Sequence, residues 1–445
     1  MTSPDVFTEP QNHFGGARQE MSSRRSTIVR TVLIAFLLRL AVLTLGHTYH
    51  FSPRDDHFGF GWETGRIARS IALGKGFSSP MQGDTGPTAW IAPLYPYFLA
   101  GLFKLFGVYS NAAAWVALAV NSFFSALTCA TLYLLGEELF GTTVALWTAW
   151  IWALSPYAIY WPVRFAWETS FATFLLSAVF LIALRLERAN RIASWLWFGF
   201  LWALIALSNP SLLAFLPFCG LWVLYRQHRA KTMRLHYAVF SGVVFLGCIA
   251  PWLLRNDMVF GKFVFIRDNA GAEFRLGNGP GADGQWMYWL HPSQDPDELK
   301  KYRSLGEVAY VQERKQEAIA WISENPGRFA AISLKRAFFF WFGTPRAMDS
   351  VAGEVVRNMY FCLTSILAWL GLGVALRRGV PGAILFFWMF LSISMIYYFT
   401  FTHPRYRHPI EPEMLLVSVY LFTTVEKRKI TAENAEERRD LRFTK

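Results

Sequence analysis

Three carboxylates fall within nine residues of one another in the stretch His50 to Arg69: Asp55, Asp56 and Glu63. An acid held beside a membrane surface is partly desolvated yet still reaches an aqueous partner. There its carboxylate can take a proton from a hydroxyl or amine nucleophile, which is general-base chemistry. The same spacing also fits a plainer arrangement, with Glu63 paired to Arg66 one helical turn on and Asp55-Asp56 in a solvated turn or helix N-cap. Spacing leaves both arrangements open, and Glu63 and Asp56 rank ahead of Asp55.

A second set of residues suits an anionic ligand. Arg405 and Arg407 flank Tyr406, and Arg255 follows a long apolar run. Guanidinium forks match phosphate oxygens, although arginines at such places also snorkel or anchor helices. Glu168, next to Arg164 in a polar turn, either lines a groove or forms an ion pair. Arg267-Asp268-Asn269, Glu273 and Asn278 carry groups that suit sugar hydroxyls, and Trp286, Tyr288 and Trp289 could stack on a sugar face. Turn chemistry and an interfacial aromatic belt explain the same residues. His403 and His408 fit either ligand contacts or an ordinary polar turn. Arg39 lies inside an apolar run, where a charge is costly and must face protein, water or an interface.

The elements that must position these groups follow from composition. Of 445 residues, 53% are hydrophobic, 17% aromatic and only 17% charged. Soluble domains average ~25% charged. The apolar residues come in long runs, so the expected class is an all-α polytopic membrane protein. Runs of the length a bilayer needs fall at about 28–47, 111–135, 143–161, 166–184, 193–208, 211–225, 236–253, 355–376, 379–399 and 411–424. Segment 89–107 is apolar too, but contains Pro93, Pro96 and Lys104.

Loop charge orients the runs. The net charge is +12, and much of the excess sits in short turns such as Arg185–Arg191, Arg226–Arg234, Arg377–Arg378 and Lys427–Lys429. Placing these inside satisfies the positive-inside bias with ten crossings and both termini cytoplasmic. Segment 89–107 then reads as re-entrant, and the short aromatic cluster Phe338–Phe342 as an interfacial anchor. The expected organisation is a tail over 1–27 and a transmembrane core over 28–254 that includes an outer loop over 48–88. An outer hydrophilic region over 255–354, helices over 355–424 and a tail over 425–445 follow. Between Arg255 and Arg346, 13 basic residues face 11 acidic ones, a near-neutral balance that suits an external region. The first apolar run has no small-residue cleavage site behind it and is expected to remain as a span. The basic residues form turns rather than a soluble stripe, which argues against nucleic acid as a partner.

Further motifs accompany the acids: Ile67-Ala68-Arg69, Gly74-Lys75-Gly76-Phe77, then Pro93-Leu94-Tyr95-Pro96 leading to Leu105-Phe106-Gly107. Later come Ala250-Pro251-Trp252-Leu253-Leu254-Arg255-Asn256 and Arg405-Tyr406-Arg407-His408-Pro409. In this order they resemble the glycosyltransferase-C superfamily, in its polyprenyl-phosphate-sugar-dependent branch of protein mannosyltransferases and aminoarabinose transferases. The resemblance runs over nearly the whole chain. It implies an inner-membrane inverting glycosyltransferase that moves a sugar from a polyprenyl-phosphate donor to a glycan, lipid or protein acceptor at the outer face. It assigns the base to Glu63, Asp56 or Asp55 and the donor phosphate to Arg405, Arg407 and Arg255. Tyr406, Glu168, Asn269 and Asn278 become substrate contacts. The family often shows Asp-Glu where this chain has Asp55-Asp56, which leaves the base unsettled among the three. No cofactor is required, and a divalent metal is compatible but not indicated. The sequence has no Walker loop, Rossmann fingerprint or Asp-x-Asp signature, which disfavours a nucleotide-bound donor. Rival readings are a transporter or flippase of lipid-linked sugars, and a polysaccharide polymerase or ligase. The first predicts paired charges within spans, and the second arginines concentrated in one late loop.

Overall fold

The computed structural model describes residues 13–188, 191–345 and 350–424, with side chains of the first helix from Met21 onward. Most of the expected N-terminal tail and all of 425–445, including Lys427–Lys429, lie outside the described residues or side chains.

Among the described residues the secondary structure is helical, apart from an isolated bridge between Ser78 and Pro87. In chain order the helices are α1 (His13–Leu45), α2 (Trp62–Ala72), α3 (Leu94–Phe106), α4 (Asn111–Phe140), α5 (Thr142–Leu154) and α6 (Pro156–Arg164). Then come α7 (Thr169–Leu186), α8 (Ile192–Ser208), α9 (Leu216–Arg229), α10 (Leu235–Phe260), α11 (Ala270–Gly277), α12 (Pro296–Leu305) and α13 (Glu307–Glu324). The chain continues through α14 (Pro326–Phe342), α15 (Val351–Arg377) and α16 (Ala383–Phe399) to α17, over 411–424.

By length and composition, α4, α7, α10, α15 and the Met21–Leu45 part of α1 can each cross a membrane. Their surfaces agree with a lipid surround. Leu33 and Leu37 on α1, Val243 and Leu246 on α10, and Met359 and Leu363 on α15 are all exposed. A water-facing helix would bury such residues. The interior is built from α4, α5, α7, α8, α9, α16 and α17, with Phe180 against Phe386 (ring centroids 4.5 Å apart) and Phe218 stacked on Trp388 (4.6 Å).

Local chemistry explains where several apolar runs break. The expected run 143–161 is two helices, because Ser155 caps the amide of Ala158 and Pro156 opens α6. The run 211–225 begins as a tight 3-10 turn at Pro210–Phe215 before α9 starts. Segment 89–107 forms an extended entry and then α3. Thirteen helical residues reach only ~20 Å, short of a ~30 Å hydrocarbon core. Phe338–Phe342 is not a separate anchor. It is the end of the 17-residue α14, with Phe339, Phe340 and Trp341 buried and Trp341 edge-on to Trp369.

Lipid provides little drive to pull apolar helices together, so close packing through small residues must do much of that work. Gly199 lets α8 approach α10 until an added Cβ would overlap the Ser241 carbonyl. Gly371 does the same for α15 against the Val417 carbonyl of α17.

Beside the bundle, α11, α12 and α13 pack over the loop that follows α2. Glu307, at the start of α13, is 5% exposed. Its carboxylate accepts from the Ala89 amide (2.6 Å), the Tyr302 hydroxyl (2.7 Å) and the Thr88 hydroxyl. The Asp268 amide donates to the Ala89 carbonyl (2.9 Å), completing the attachment of segment 88–92 to the region of α11–α13. Burial pushes the Glu307 carboxyl up to about 7, a rise restrained by its three donors. Burial also moves Asp268 up to about 6, opposed by Lys262.

Two predictions follow from this packing. Gly199→Ala and Gly371→Ala should each lower the melting temperature in detergent, at a cost on the order of 1–3 kcal/mol; unchanged melting would mean that the helix pairs are looser than described. For Glu307, the folded state favours the protonated form. Its contribution is therefore complete below pH 4.5, the ordinary carboxyl value, and is lost as pH rises through about 7. Melting of the wild type relative to Glu307→Gln should fall across that window. A pH-independent difference would contradict the assignment.

Candidate active site

A cavity of about 450 Å³ lies where α2, α7, α8, α11 and α16 begin or end. Its floor depends on the turn ahead of α2. Gly61 adopts φ +67°, a left-handed conformation that favours glycine, and turns the chain from the 3-10 segment Phe58–Phe60 into α2. That turn is fastened to the α6–α7 connection. The Ala166 amide donates to the Gly59 carbonyl (2.7 Å), and Trp167 Nε1 donates to the Phe58 carbonyl (3.2 Å). Asn121 of α4, fully buried, gives its amide protons to the carbonyls of Phe165 (2.9 Å) and Trp167 (3.0 Å). Trp167 and Glu168 are thereby held at the cavity wall.

Glu63 lies in the first turn of α2 and lines the cavity, its side chain 18% exposed. Its Oε1 accepts from the Ser293 hydroxyl (3.2 Å), and His291 Nε2 is 3.6 Å away. The plainer alternative, a Glu63–Arg66 pair, does not form. Arg66 instead grips both carboxylate oxygens of Asp56, at 2.6 and 2.7 Å. Asp56 therefore sits behind Glu63, off the cavity, and Asp55 is exposed and off it too.

Arg405 and Tyr406 line the cavity in the short turn between α16 and α17. The guanidinium lies over the rings of Trp167 (4.8 Å) and Tyr406 (5.1 Å), and Tyr406 stacks on Tyr397 (4.3 Å). Burial works against the Arg405 charge, but Tyr406, Glu168 and Glu273 more than offset it and raise the group above its ordinary value. Across the cavity wall, Arg267 Nε donates to Asn269 Oδ1 (2.7 Å), and Asn269 Nδ2 donates to Glu273 Oε1 (2.9 Å).

Besides Asp55 and Asp56, three further residues expected here lie elsewhere. Arg407, 1% exposed, donates to the carbonyls of Trp341 (2.8 Å) and Phe361 (3.1 Å) and to the hydroxyls of Ser365 and Thr364. It also pairs with Glu411 at 2.5 Å. Arg255 donates to the carbonyls of Thr88 (2.7 Å) and Phe77 (2.9 Å) and lies over Trp252 (4.8 Å). Asn278 is buried, donating to the carbonyls of Phe274 and Phe399 and accepting from Arg336. The cavity brings together Glu63, Glu168, Asn269, Arg405 and Tyr406 from the expected set.

Arg267, Glu273 and His291 join them, and Ser293 and Arg66 lie directly behind Glu63. Sequence reading passed over Ser293 because a lone serine after His291-Pro292 carries no periodic or spacing signal. Among the described residues, no group of three or more His, Cys, Asp or Glu side chains could hold a metal ion.

Residues 90–254 match the family model described as dolichyl-phosphate-mannose-protein mannosyltransferase. No curated protein sequence matches the chain. Among solved structures, the chain is similar to an oligosaccharyltransferase from Archaeoglobus fulgidus in its apo form. The TM-score is 0.50 and the identity 14%, covering 92% of this chain and 52% of that one. AglB from A. fulgidus, solved with an inhibitory peptide and a dolichol-phosphate, aligns with TM-score 0.49 and 14% identity over 94% of this chain and 52% of its own. ArnT from Cupriavidus metallidurans, bound to undecaprenyl phosphate, gives TM-score 0.36 and 13% identity over 85% of this chain and 77% of its own. The chain spans about half the length of the archaeal oligosaccharyltransferases. Residues 90–254 thus resemble the dolichyl-phosphate-mannose-protein mannosyltransferase family, and the chain shares its helical membrane fold with the apo oligosaccharyltransferase.

Proposed function

We propose that the protein moves a sugar from a polyprenyl-phosphate donor to an acceptor at the outer face of the inner membrane, with inversion at the anomeric carbon. The observation that carries this reading is a cavity lined by the carboxylates of Glu63, Glu168 and Glu273 and by two guanidinium groups, Arg405 and Arg267. A lipid-phosphate donor is in keeping with the matched family, whose description names dolichyl-phosphate mannose.

In this reading the Glu63 carboxylate takes the proton from the acceptor hydroxyl or amine as that atom bonds to the anomeric carbon. The bond from that carbon to the phosphate oxygen breaks, and the electron pair leaves with polyprenyl phosphate. One carboxylate and a good leaving group suffice, so no second acid is needed. Arg405 and Arg267 stabilise the growing phosphate charge, a role for positively charged donors fixed before the reaction begins. Arg255 and Arg407 have committed donors to backbone carbonyls, which favours Arg405 and Arg267 as the phosphate contacts. Trp62, Trp167 and Trp286 line the same space and offer faces for the sugar. Glu168 and Asn269 are placed to bond its hydroxyls.

The test compares lipid extracts from source cells carrying the wild-type chain and Glu63→Gln. The variant should accumulate a polyprenyl-phosphate sugar, because loss of a general base costs ~10²–10⁴-fold. Asp55→Asn should retain transfer, while Arg405→Ala should lower it ~10²–10³-fold. Wild-type turnover in Glu63→Gln would remove the base assignment, and wild-type donor dependence in Arg405→Ala would remove the phosphate contact.

A further inference from the structure

The carboxylate of Glu63 is not held by its own helix. It is held by a residue 230 positions later in the chain, in the outer region. The polarity of that contact can be worked out atom by atom. Arg66 has only donors, and an ionised carboxylate has only acceptors. Arg66 Nε and Nη2 are spent on the two oxygens of Asp56, which fixes the guanidinium plane. Its remaining nitrogen, Nη1, then points at the Ser293 hydroxyl (2.8 Å) and at the Pro80 carbonyl (3.2 Å).

Ser293 Oγ must therefore accept from Arg66, and its single proton is left to donate. The candidates within reach are Glu63 Oε1 (3.2 Å) and the Met81 sulfur (3.4 Å). A carboxylate oxygen is far the stronger acceptor. The order of donation is Arg66 to Ser293 to Glu63, with Asp56 orienting the arginine. Arg66 is 2% exposed and Ser293 6%, so water does not compete at the centre of the chain of bonds. His291 supports the same geometry. Its Nδ1 accepts from the Ser293 amide (3.1 Å), so the ring proton is on Nε2, the atom that faces Glu63 Oε1 at 3.6 Å. The contacts of Glu63 with Ser293 and His291 both engage Oε1.

We infer that Ser293, oriented by the Asp56–Arg66 ion pair, is the positioning residue that holds the Glu63 carboxylate for proton abstraction. The inference rests on the assignment of Glu63 as base. Ser293 does not touch the reacting atoms. It restricts the rotation of a side chain that would otherwise be free to turn, and it holds one oxygen so that the other is left for the acceptor. It also makes the first outer loop dependent on the outer region for its chemistry, because neither segment alone contains the complete bond path.

The experiment uses the full chain in detergent, with the lipid-linked sugar extracted from Glu63→Gln cells as donor and native membranes as acceptor. Binding of undecaprenyl phosphate is measured in parallel. Ser293→Ala should lower kcat roughly 10–100-fold, the scale of a misplaced reacting group, with donor KM and undecaprenyl phosphate Kd within twofold of wild type. Ser293→Thr, which keeps the hydroxyl, should recover most of kcat. In the Glu63→Gln background, Ser293→Ala should cause no further loss, because its target is already gone. Three results would overturn the inference: a wild-type kcat in Ser293→Ala, a loss that multiplies that of Glu63→Gln, or a loss matched by equal weakening of undecaprenyl phosphate binding. Failure of the base assignment looks different, since Glu63→Gln itself would then turn over normally.

Discussion

Helices that stop inside an apolar surround leave carbonyls that water cannot reach, and each must find a donor. In this chain buried arginines supply many of them. Arg39 gives protons to the carbonyls of Ala35, Trp152 and Ala153, where α5 breaks before Pro156. Arg336 serves the carbonyls of Gly277, Tyr398 and Phe399, at the ends of α11 and α16. Arg407 takes the Trp341 carbonyl at the end of α14, and Arg255 takes two carbonyls of the loop after α2. An arginine has five donors in a rigid fork, so one side chain can satisfy several carbonyls from different helices. These residues hold the broken ends in fixed relation, and the cavity is formed from such ends.

The same rule separates structural charges from those left for chemistry. A guanidinium surrounded by carbonyls has exchanged water for backbone acceptors, and a phosphate would have to displace them. Arg405 is in a different position, lying over Trp167 and Tyr406 at the cavity wall. The acids divide similarly. Asp56 neutralises Arg66, and Glu307 carries the loop 88–92 on three donors, whereas Glu63 keeps a face toward the cavity. Carboxylates of the same type thus serve as ion-pair partner, loop anchor and candidate base, according to what surrounds them.

Glu307 and Asp268 attach the region of α11–α13 to the segment before α3, on the side where His291 and Ser293 meet Glu63. The site therefore draws on both halves of the chain. Its parts are widely separated in sequence, and each is fixed by buried polar contacts whose loss would leave an unsatisfied group in a medium that penalises it heavily.

Much is legible in the amino-acid sequence. Long apolar runs, sparse charge and Pro-punctuated segments determine an all-helical membrane protein, because lipid admits few ways to satisfy a backbone. The helical spacing of Glu63 and Arg66 and the position of Arg405-Tyr406 before the last apolar run were also readable from local pattern. Choosing among Asp55, Asp56 and Glu63 was not, nor was telling Arg405 from Arg407 and Arg255. Those pairs differ by neighbours contributed from distant residues: Arg66 for Asp56, Trp341 and Glu411 for Arg407, Thr88 and Phe77 for Arg255. Residue type determines what an arginine or a carboxylate can do. Only the tertiary structure decides whether its donors and acceptors are already spent, because desolvation makes every buried polar group take the partner that packing brings to it.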